Sequence, residues 1–374
     1  SIQPVRLDVG GHGGVEHRSI GSAVAPVVPH RGRGDRVGRD VENVREQQAT
    51  FVGGQVDPLI VLTLQPHRVQ GSHLGPELLQ IPVLDEALGV GPDVLLDHRV
   101  DGAAQLRLDV RTLDETEFRA LHEAWLKYAL LIFPGQFLER DEQIAFAKRF
   151  GPLEFDMVSL SNVKEDGTLR LEKDNDDRMK VLKGNMGWHC DSTYMPVQAK
   201  GAVFSAEEVP TVGGHTGFAD LRAAYDALDD GMKAKLGKLA AYHSLHYSQA
   251  KMGHFADKAD GEYNGYGFHN GPVPLRPLIK THPETGRKSL LIGRHAHNIP
   301  GLAQEESDRL LQELVEFTCQ APRVYHHDWV PGDALLWDNR CLLHRATPWD
   351  MTQRRVMWHS RIAGDPIAEA ALPN

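Results

Sequence analysis

The placement of aromatic side chains decides where this chain can build a core. Of its Phe, Trp and Tyr residues only Phe51 lies within residues 1–104, and all the others follow. Large rings supply much of the apolar area that anchors a folded interior, so residues 1–104 have little with which to make one. The same segment lacks Lys, Met and Cys and is dense in Gly, as in Gly10-Gly11-His12-Gly13-Gly14 and Arg31-Gly32-Arg33-Gly34. Such composition favours an unpacked segment. Leu59-Ile60-Val61-Leu62 and the stretch Pro76–Leu88 keep enough apolar character for short strands or a helix. Residues 1–101 are expected to be an extension outside the main fold, either flexible or translated upstream sequence, and 102–374 the folded domain.

Beyond the seam the texture changes. Asp114 precedes a stretch with Phe118, Leu121 and Trp125 on one side, which predicts a helix. Ala129–Phe133 predicts a buried strand ended by Pro134-Gly135, and residues 141–149 a second helix closed by Gly151-Pro152. Apolar strands are expected at 201–206, 240–247, 275–280, 288–292, 333–337 and 355–361, with helices near 220–228 and 304–318. Many strands and few helices predict a mainly β fold, a sandwich or barrel-like core with flanking helices.

Bulk properties exclude some functions. A net charge of −10 and a pI near 6.0 leave no basic footprint for nucleic acid. The longest apolar run, Ala129–Phe133, is far too short to span a membrane. Cys190, Cys319 and Cys341 are scattered and odd in number, which argues against a disulfide framework and for a reducing compartment. With no secretion signal in view, a cytoplasmic location is expected. A homo-oligomer is expected as well.

Trp188-His189-Cys190-Asp191 is the most informative tetrapeptide. On a strand, His189 and Asp191 share one face and Cys190 points away. An imidazole and a carboxylate so placed supply two neighbouring ligands. A distant third, His344, would complete the facial triad that leaves open positions on Fe(II) for a bidentate oxo-acid and O₂. The pairs His295/His297 and His326/His327 compete, and are read as a strand end and a solvated turn. His344 is preferred because Arg355 follows it in a strand that puts Arg355, Met357, His359 and Arg361 on one face. A core-facing Arg needs an anion, and a bound oxo-acid carboxylate would provide one in a bidentate pair. An internal Asp is the alternative partner.

From about Gly102 onward the chain resembles the taurine / 2,4-dichlorophenoxyacetate dioxygenases. It carries their Trp-His-x-Asp-Ser-Thr, Gly-Gly-x-Thr-x-Phe-Ala-Asp, Trp-Asp-Asn-Arg and His-Arg-Ala segments, beginning at Trp188, Gly213, Trp337 and His344. The resemblance implies a double-stranded β-helix (jelly-roll) core. It implies iron(II) held by His189, Asp191 and His344, with Thr216 and Arg355 binding 2-oxoglutarate as cosubstrate for O₂. Several stretches look like the (S)-selective 2-aryloxypropionate dioxygenases that degrade phenoxy herbicides, among them Gly184-Asn185-Met186, Ser192–Val197 and Arg355–Arg361.

The implied reaction hydroxylates the ether-bearing carbon of an aryloxyalkanoate such as (S)-dichlorprop or 2,4-dichlorophenoxyacetate, giving a phenol and a keto acid plus succinate and CO₂. The alternatives are the same chemistry on a sulfonate, alkyl sulfate or other small carboxylate, or a non-catalytic metal-binding β protein. One departure stands out. Many members place a substrate-binding Arg four residues after the 2-oxoglutarate Arg, and here that position is His359. Candidates for holding the substrate carboxylate are therefore His359, Arg361, Asn185, Ser192, Lys180 and Lys183. Val158, Met186 and Tyr247 are expected to pack on the ring.

Overall fold

A computed structural model describes residues 62–65, 104–170, 176–253 and 267–373, with the backbone alone described for 62–65 and 104–107. All of these belong to one unit, residues 50–374. The stretch Pro76–Leu88, where a helix or short strands are expected, lies outside the described residues, as does nearly all of 1–101.

The strands are β1 (Leu62–Gln65), β2 (Ala104–Arg107), β3 (Leu130–Phe133), β4 (Leu153–Ser161), β5 (Gly201–Glu208), β6 (Thr216–Asp220), β7 (Ala240–His243), β8 (Leu275–Pro277), β9 (Ile279–Thr281), β10 (Lys288–Leu290), β11 (Ala296–His297), β12 (Val324–His327), β13 (Ala334–Asp338), β14 (Leu342–Ala346) and β15 (Val356–Ile362). Seven make one sheet in the order β2-β1-β3-β13-β5-β15-β4, and a second sheet runs β12-β6-β14. The strand Leu62–Gln65, inside the segment set apart by composition, pairs in parallel with β2 and β3.

Alternation of side chains across each strand sorts the core into layers. In β3, Leu131 and Phe133 face the helices Glu115–Tyr128 and Arg140–Lys148, where they meet Leu121, Trp125 and Phe146. Leu130 and Ile132 point the other way, into a cluster with Phe204, Trp337 and Met357 of the large sheet. Phe218 of β6 and Leu342 of β14 close that cluster from the second sheet. The outer face of the second sheet, through Ala219 and Leu343, packs on the helices Leu221–Asp226 and Gln304–Thr318. The fold is mainly β, with helices covering both outer faces.

Local signals explain several elements. Asp114 and Glu117 form a reciprocal capping box that starts the first helix, and Ala129 leaves it at a φ of 65°, turning the chain straight into β3. Helix Gln304–Thr318 buries Leu310, Leu311, Leu314 and Phe317 at helical spacing. The expected strand 240–247 is shorter than its apolar pattern. Ser244 caps a helix over Leu245–Ala250, its hydroxyl accepting from the Tyr247 amide at 3.1 Å, so the strand stops at His243.

Candidate active site

The site grows from the ladder of β14. His189 lies outside any named strand yet bridges His344, with backbone N–H···O bonds of 3.0 and 2.8 Å in each direction. His189 and Asp191 therefore face the inter-sheet interior, while Cys190 between them joins the outer cluster beside Leu343. The turn Trp337-Asp338-Asn339-Arg340 fixes Asp191. Asn339 accepts from the Asp191 amide at 2.7 Å and donates to its carbonyl at 2.9 Å. Arg340 forks onto Asp338 at 2.8 and 2.7 Å, and Asp338 also meets His282 Nε2 at 2.9 Å. That second buried group of His282, Asp338 and Cys341 is thus already satisfied internally, its carboxylate committed to a cation.

His189, Asp191 and His344 are all buried. His344 Nε2 stands 3.6 Å from Asp191 Oδ2, and His189 Nε2 stands 4.0 Å from Oδ1. One ligand atom from each of the three lies within 4.8 Å of the others, a grouping close enough to hold one cation. His189 Nδ1 donates to the Gly187 carbonyl at 2.7 Å, which leaves Nε2 as the lone-pair nitrogen. Burial, then the neighbouring His344, pushes the His189 pKa down to about 3. Burial, then Arg361, does the same to His344. Neutral imidazole is the ligating form. Burial alone would raise the Asp191 pKa, but the Arg361 guanidinium beside it holds it below the usual carboxylate range. Arg361 donates to Asp191 Oδ1 at 2.9 Å and to Ser192 Oγ at 3.2 Å, and Ser192 in turn donates to Glu154 at 2.9 Å. Asp191 Oδ2 is buried with no hydrogen-bond partner among the described residues, although His359 Nε2 stands 3.6 Å away. A desolvated carboxylate oxygen left unpaired is costly, and a cation between the three side chains satisfies it.

The opposite end of the cavity is built from β6 and the approach to β15. Thr216 is buried on the inner face with Phe218, and its hydroxyl accepts from Trp329 Nε1 at 2.9 Å. Arg355 is only 3% exposed. Its amide donates to Asn162 Oδ1 at 2.8 Å, its Nε to the Gly214 carbonyl at 3.1 Å, and its guanidinium lies 5.1 Å from the Trp349 ring. Among the described residues no carboxylate pairs with it. Burial pulls its pKa down to about 10. The internal Asp considered as its alternative partner is therefore absent from the described residues. Triad, Thr216 and Arg355 line one cavity of about 350 Å³.

A family model described as the taurine catabolism dioxygenase TauD, TfdA family matches residues 96–361. The chain belongs to this family. An (S)-phenoxypropionate/alpha-ketoglutarate-dioxygenase of Sphingobium herbicidovorans is 70% identical over 271 residues, 72% of this chain and 94% of the relative. A protein of the same description from Delftia acidovorans is 59% identical over 276 residues, again 72% and 94%. Among solved structures, AAD-2 in complex with Mn(II) and N-oxalylglycine is 36% identical with a TM-score of 0.63, covering 71% of this chain and 94% of that one.

Within this TauD, TfdA family member, the cavity sorts the remaining sequence candidates. Asn185, Val158, His359 and Arg361 line it, whereas Met186, Ser192, Tyr247, Lys180 and Lys183 do not. Helix Asp177–Gly184 turns Arg178, Val181 and Leu182 to the cavity, and its C-cap Asn185 continues that face. The spacing is that of one helical face, so Lys180 and Lys183 fall elsewhere, Lys180 onto Asp177 at 2.9 Å. Tyr247 sits on a helix rather than the expected strand, bonded to Asp308 at 3.3 Å and stacked on His297. Ser192 is taken up by Glu154 and Arg361 beneath Asp191. His359 stacks on Trp337, with Phe155 and Phe204 edge-on. Burial, then Arg361, pushes its pKa down to about 3 against the pull of Asp191, whose Oδ2 lies 3.6 Å from its Nε2.

Sequence reasoning missed other wall residues. Phe155 and Leu160 come from β4, a strand with no clean alternation signal. Trp349 sits in a loop, and nothing local announces that it faces Arg355. His295, read as a strand end, is buried beside His189 with ring centroids 5.7 Å apart, and its Nδ1 meets Ser248 Oγ at 2.8 Å. His326 and His327 stay apart from the triad, His327 pairing with Asp333 at 3.2 Å.

Proposed function

We propose that this chain is an iron(II)- and 2-oxoglutarate-dependent dioxygenase with a double-stranded β-helix core. Its substrate is an (S)-2-aryloxypropionate, which it hydroxylates at the ether-bearing carbon to release a phenol and a keto acid. The observation that carries the reading is Arg355. A buried guanidinium with no carboxylate partner among the described residues, on the same cavity as a His/Asp/His cluster, is a receptor for a carboxylate on a ligand that also reaches the metal. A protein that merely stores a metal needs no such cation. The 70% identity to an enzyme described as acting on (S)-phenoxypropionate supports the substrate class.

His189, Asp191 and His344 would hold iron on one side, and the metal with 2-oxoglutarate and O₂ supplies the oxidising chemistry. The chain's own residues position and shield. Arg355 and Thr216 take the distal carboxylate of 2-oxoglutarate, and Trp329 fixes the Thr216 hydroxyl by occupying one of its lone pairs. Trp349 covers the guanidinium face and keeps water from competing for it. Arg361 occupies Asp191 Oδ1 and so leaves Oδ2 for the metal. Phe155, Val158, Leu160, Leu182 and Leu245 give the cavity the apolar wall an aryl ring requires.

The test is succinate release with Fe(II), 2-oxoglutarate and a panel of aryloxyalkanoates, sulfonates and alkyl sulfates. Phenol formed in step with succinate from (S)-2-(2,4-dichlorophenoxy)propionate is the expected result. Succinate formed only with a sulfonate or sulfate ester, or a preference for the (R)-enantiomer, overturns the substrate assignment.

A further inference from the structure

An anionic substrate entering a chain of net charge −10 needs a local cation to receive it. The question rests on the reading above, because only an aryloxyalkanoate-type substrate brings a second carboxylate into the cavity. Four arginines and no lysine line that cavity among the described residues. Arg355 is taken by the oxo-acid end. Arg361 is held by Asp191 and Ser192. Arg345 turns outward, its guanidinium 4.5 Å from the Trp188 ring and close enough to Cys319 and His326 to perturb both. His359 is neutral. Arg178 remains.

Arg178 is half-buried on the cavity face of helix Asp177–Gly184, one turn before Val181 and Leu182. Its Nε is buried with no hydrogen-bond partner, and no carboxylate pairs with it among the described residues. Its place in the helix makes this more telling. A cation in the first turn opposes the helix dipole, and the cap there is already filled by Asp176, which accepts from the Arg178 amide at 2.8 Å. Local stability therefore gives no reason for an arginine at this position, and a lysine or arginine pointing to solvent would suffice for solubility. We propose that Arg178 supplies the positive charge that selects an anionic substrate, receiving the carboxylate of the aryloxyalkanoate in place of the arginine that other members carry at the position of His359. The apolar residues that follow it on the same helical face, Val181 and Leu182, present a surface for the remainder of the ligand.

The test compares Arg178→Gln, Arg178→Lys and the unsubstituted full chain, each loaded with Mn(II) and 2-oxoglutarate. (S)-2-(2,4-dichlorophenoxy)propionate and its uncharged methyl ester are titrated by calorimetry, and KM and kcat are measured separately with Fe(II). Arg178→Gln is expected to weaken the acid about 10- to 100-fold, the range of a charge-assisted hydrogen bond. The ester should bind all three proteins alike, and 2-oxoglutarate affinity should not move. Arg178→Lys should recover most of the loss through its charge. Equal weakening of acid and ester, or no weakening of the acid, overturns the assignment. Should Arg178→Gln not fold, an acid that binds the unsubstituted protein no better than its ester does the same. Absence of phenol and succinate from the Fe(II)-loaded protein, with acid still preferred over ester in the titration, would defeat the reaction proposed above and leave the role of Arg178 standing.

Discussion

Arg355→Met separates what a buried charge does for function from what it costs the fold. Most truncations at a fully buried position destabilise by about 2–5 kcal/mol. Here the side chain removed is a desolvated cation. Its pKa falls to about 10 against an ordinary 12.5, with burial the cause, which corresponds to about 3 kcal/mol of penalty on the charged form. Against that stand the Nε–H bond to the Gly214 carbonyl and the contact with Trp349, together about 2–3 kcal/mol. Met fills similar volume without the charge, so the ligand-free variant should match the parent within about 1 kcal/mol. The liganded proteins should then diverge. At 2-oxoglutarate a hundredfold above its dissociation constant the parent gains about 2.7 kcal/mol, and the variant, having lost the carboxylate's partner, gains almost none. The assay is denaturant unfolding of the Mn(II)-loaded protein with and without 2-oxoglutarate. A ligand-free variant weaker by more than about 2 kcal/mol, or one still stabilised by the oxo-acid, would refute the view of Arg355 as an unpaired receptor.

Gly214 has a φ of +68°, and a Cβ there would sit 2.7 Å from Pro210 and 3.3 Å from Arg355 Cδ and Nε. Gly214→Ala is therefore expected to raise KM for 2-oxoglutarate several-fold while leaving Mn(II) binding near normal, as titrated by calorimetry. In the metal-free protein His189, His344 and His359 are held neutral with pKa values of about 3, whereas unfolded histidine titrates near 6.5. The unfolded chain takes up protons first, so their contribution is fully present above about pH 6.5. It is lost as pH falls towards 3, by up to about 1.4 kcal/mol per pH unit for each histidine. Unfolding free energies that stay flat from pH 7.5 to 5 would count against neutral histidines. A chain starting at Val94 should remain soluble and active, since the family match begins at residue 96. Loss of soluble protein would show instead that the Leu62–Gln65 strand is needed by the sheet.

The period of two made parts of this site legible in advance. It put His189 and Asp191 on one face with Cys190 opposite, which holds through a single bridge to His344 although no strand forms there, and it put Met357, His359 and Arg361 together on β15. Arg355 could be read from energetics alone, since an arginine on a core face must find an anion. What escaped the sequence was set by distant partners. Asn339 looks like any turn residue, yet it clamps Asp191 from 148 positions away. The segment Asp177–Gly184 is short and rich in charge, with little periodicity to mark the face it shows the cavity, so the sequence reading names Lys180 and Lys183 and passes over Arg178. Tyr247 was misplaced because the apolar run 240–247 hides a capping serine at its middle. Trp349 and Arg355 meet only after the strands have paired, and no local pattern encodes that.

The clamp on Asp191 has an evolutionary consequence. Asn339 imitates a neighbouring strand, donating and accepting on the backbone of a residue that belongs to no sheet. Asp191 is thereby tied to the same turn that joins β13 to β14, and His344 follows within β14 itself. Arg178, Val181 and Leu182 hang on a separate eight-residue helix whose contacts run to the helix Leu245–Ala250. Drift along that helix can redraw which molecules are admitted while the ligand cluster stays where the sheet puts it. Diversification in such a scaffold is modular, and a library confined to positions 178, 181, 182 and 185 samples new substrates without gambling the reaction.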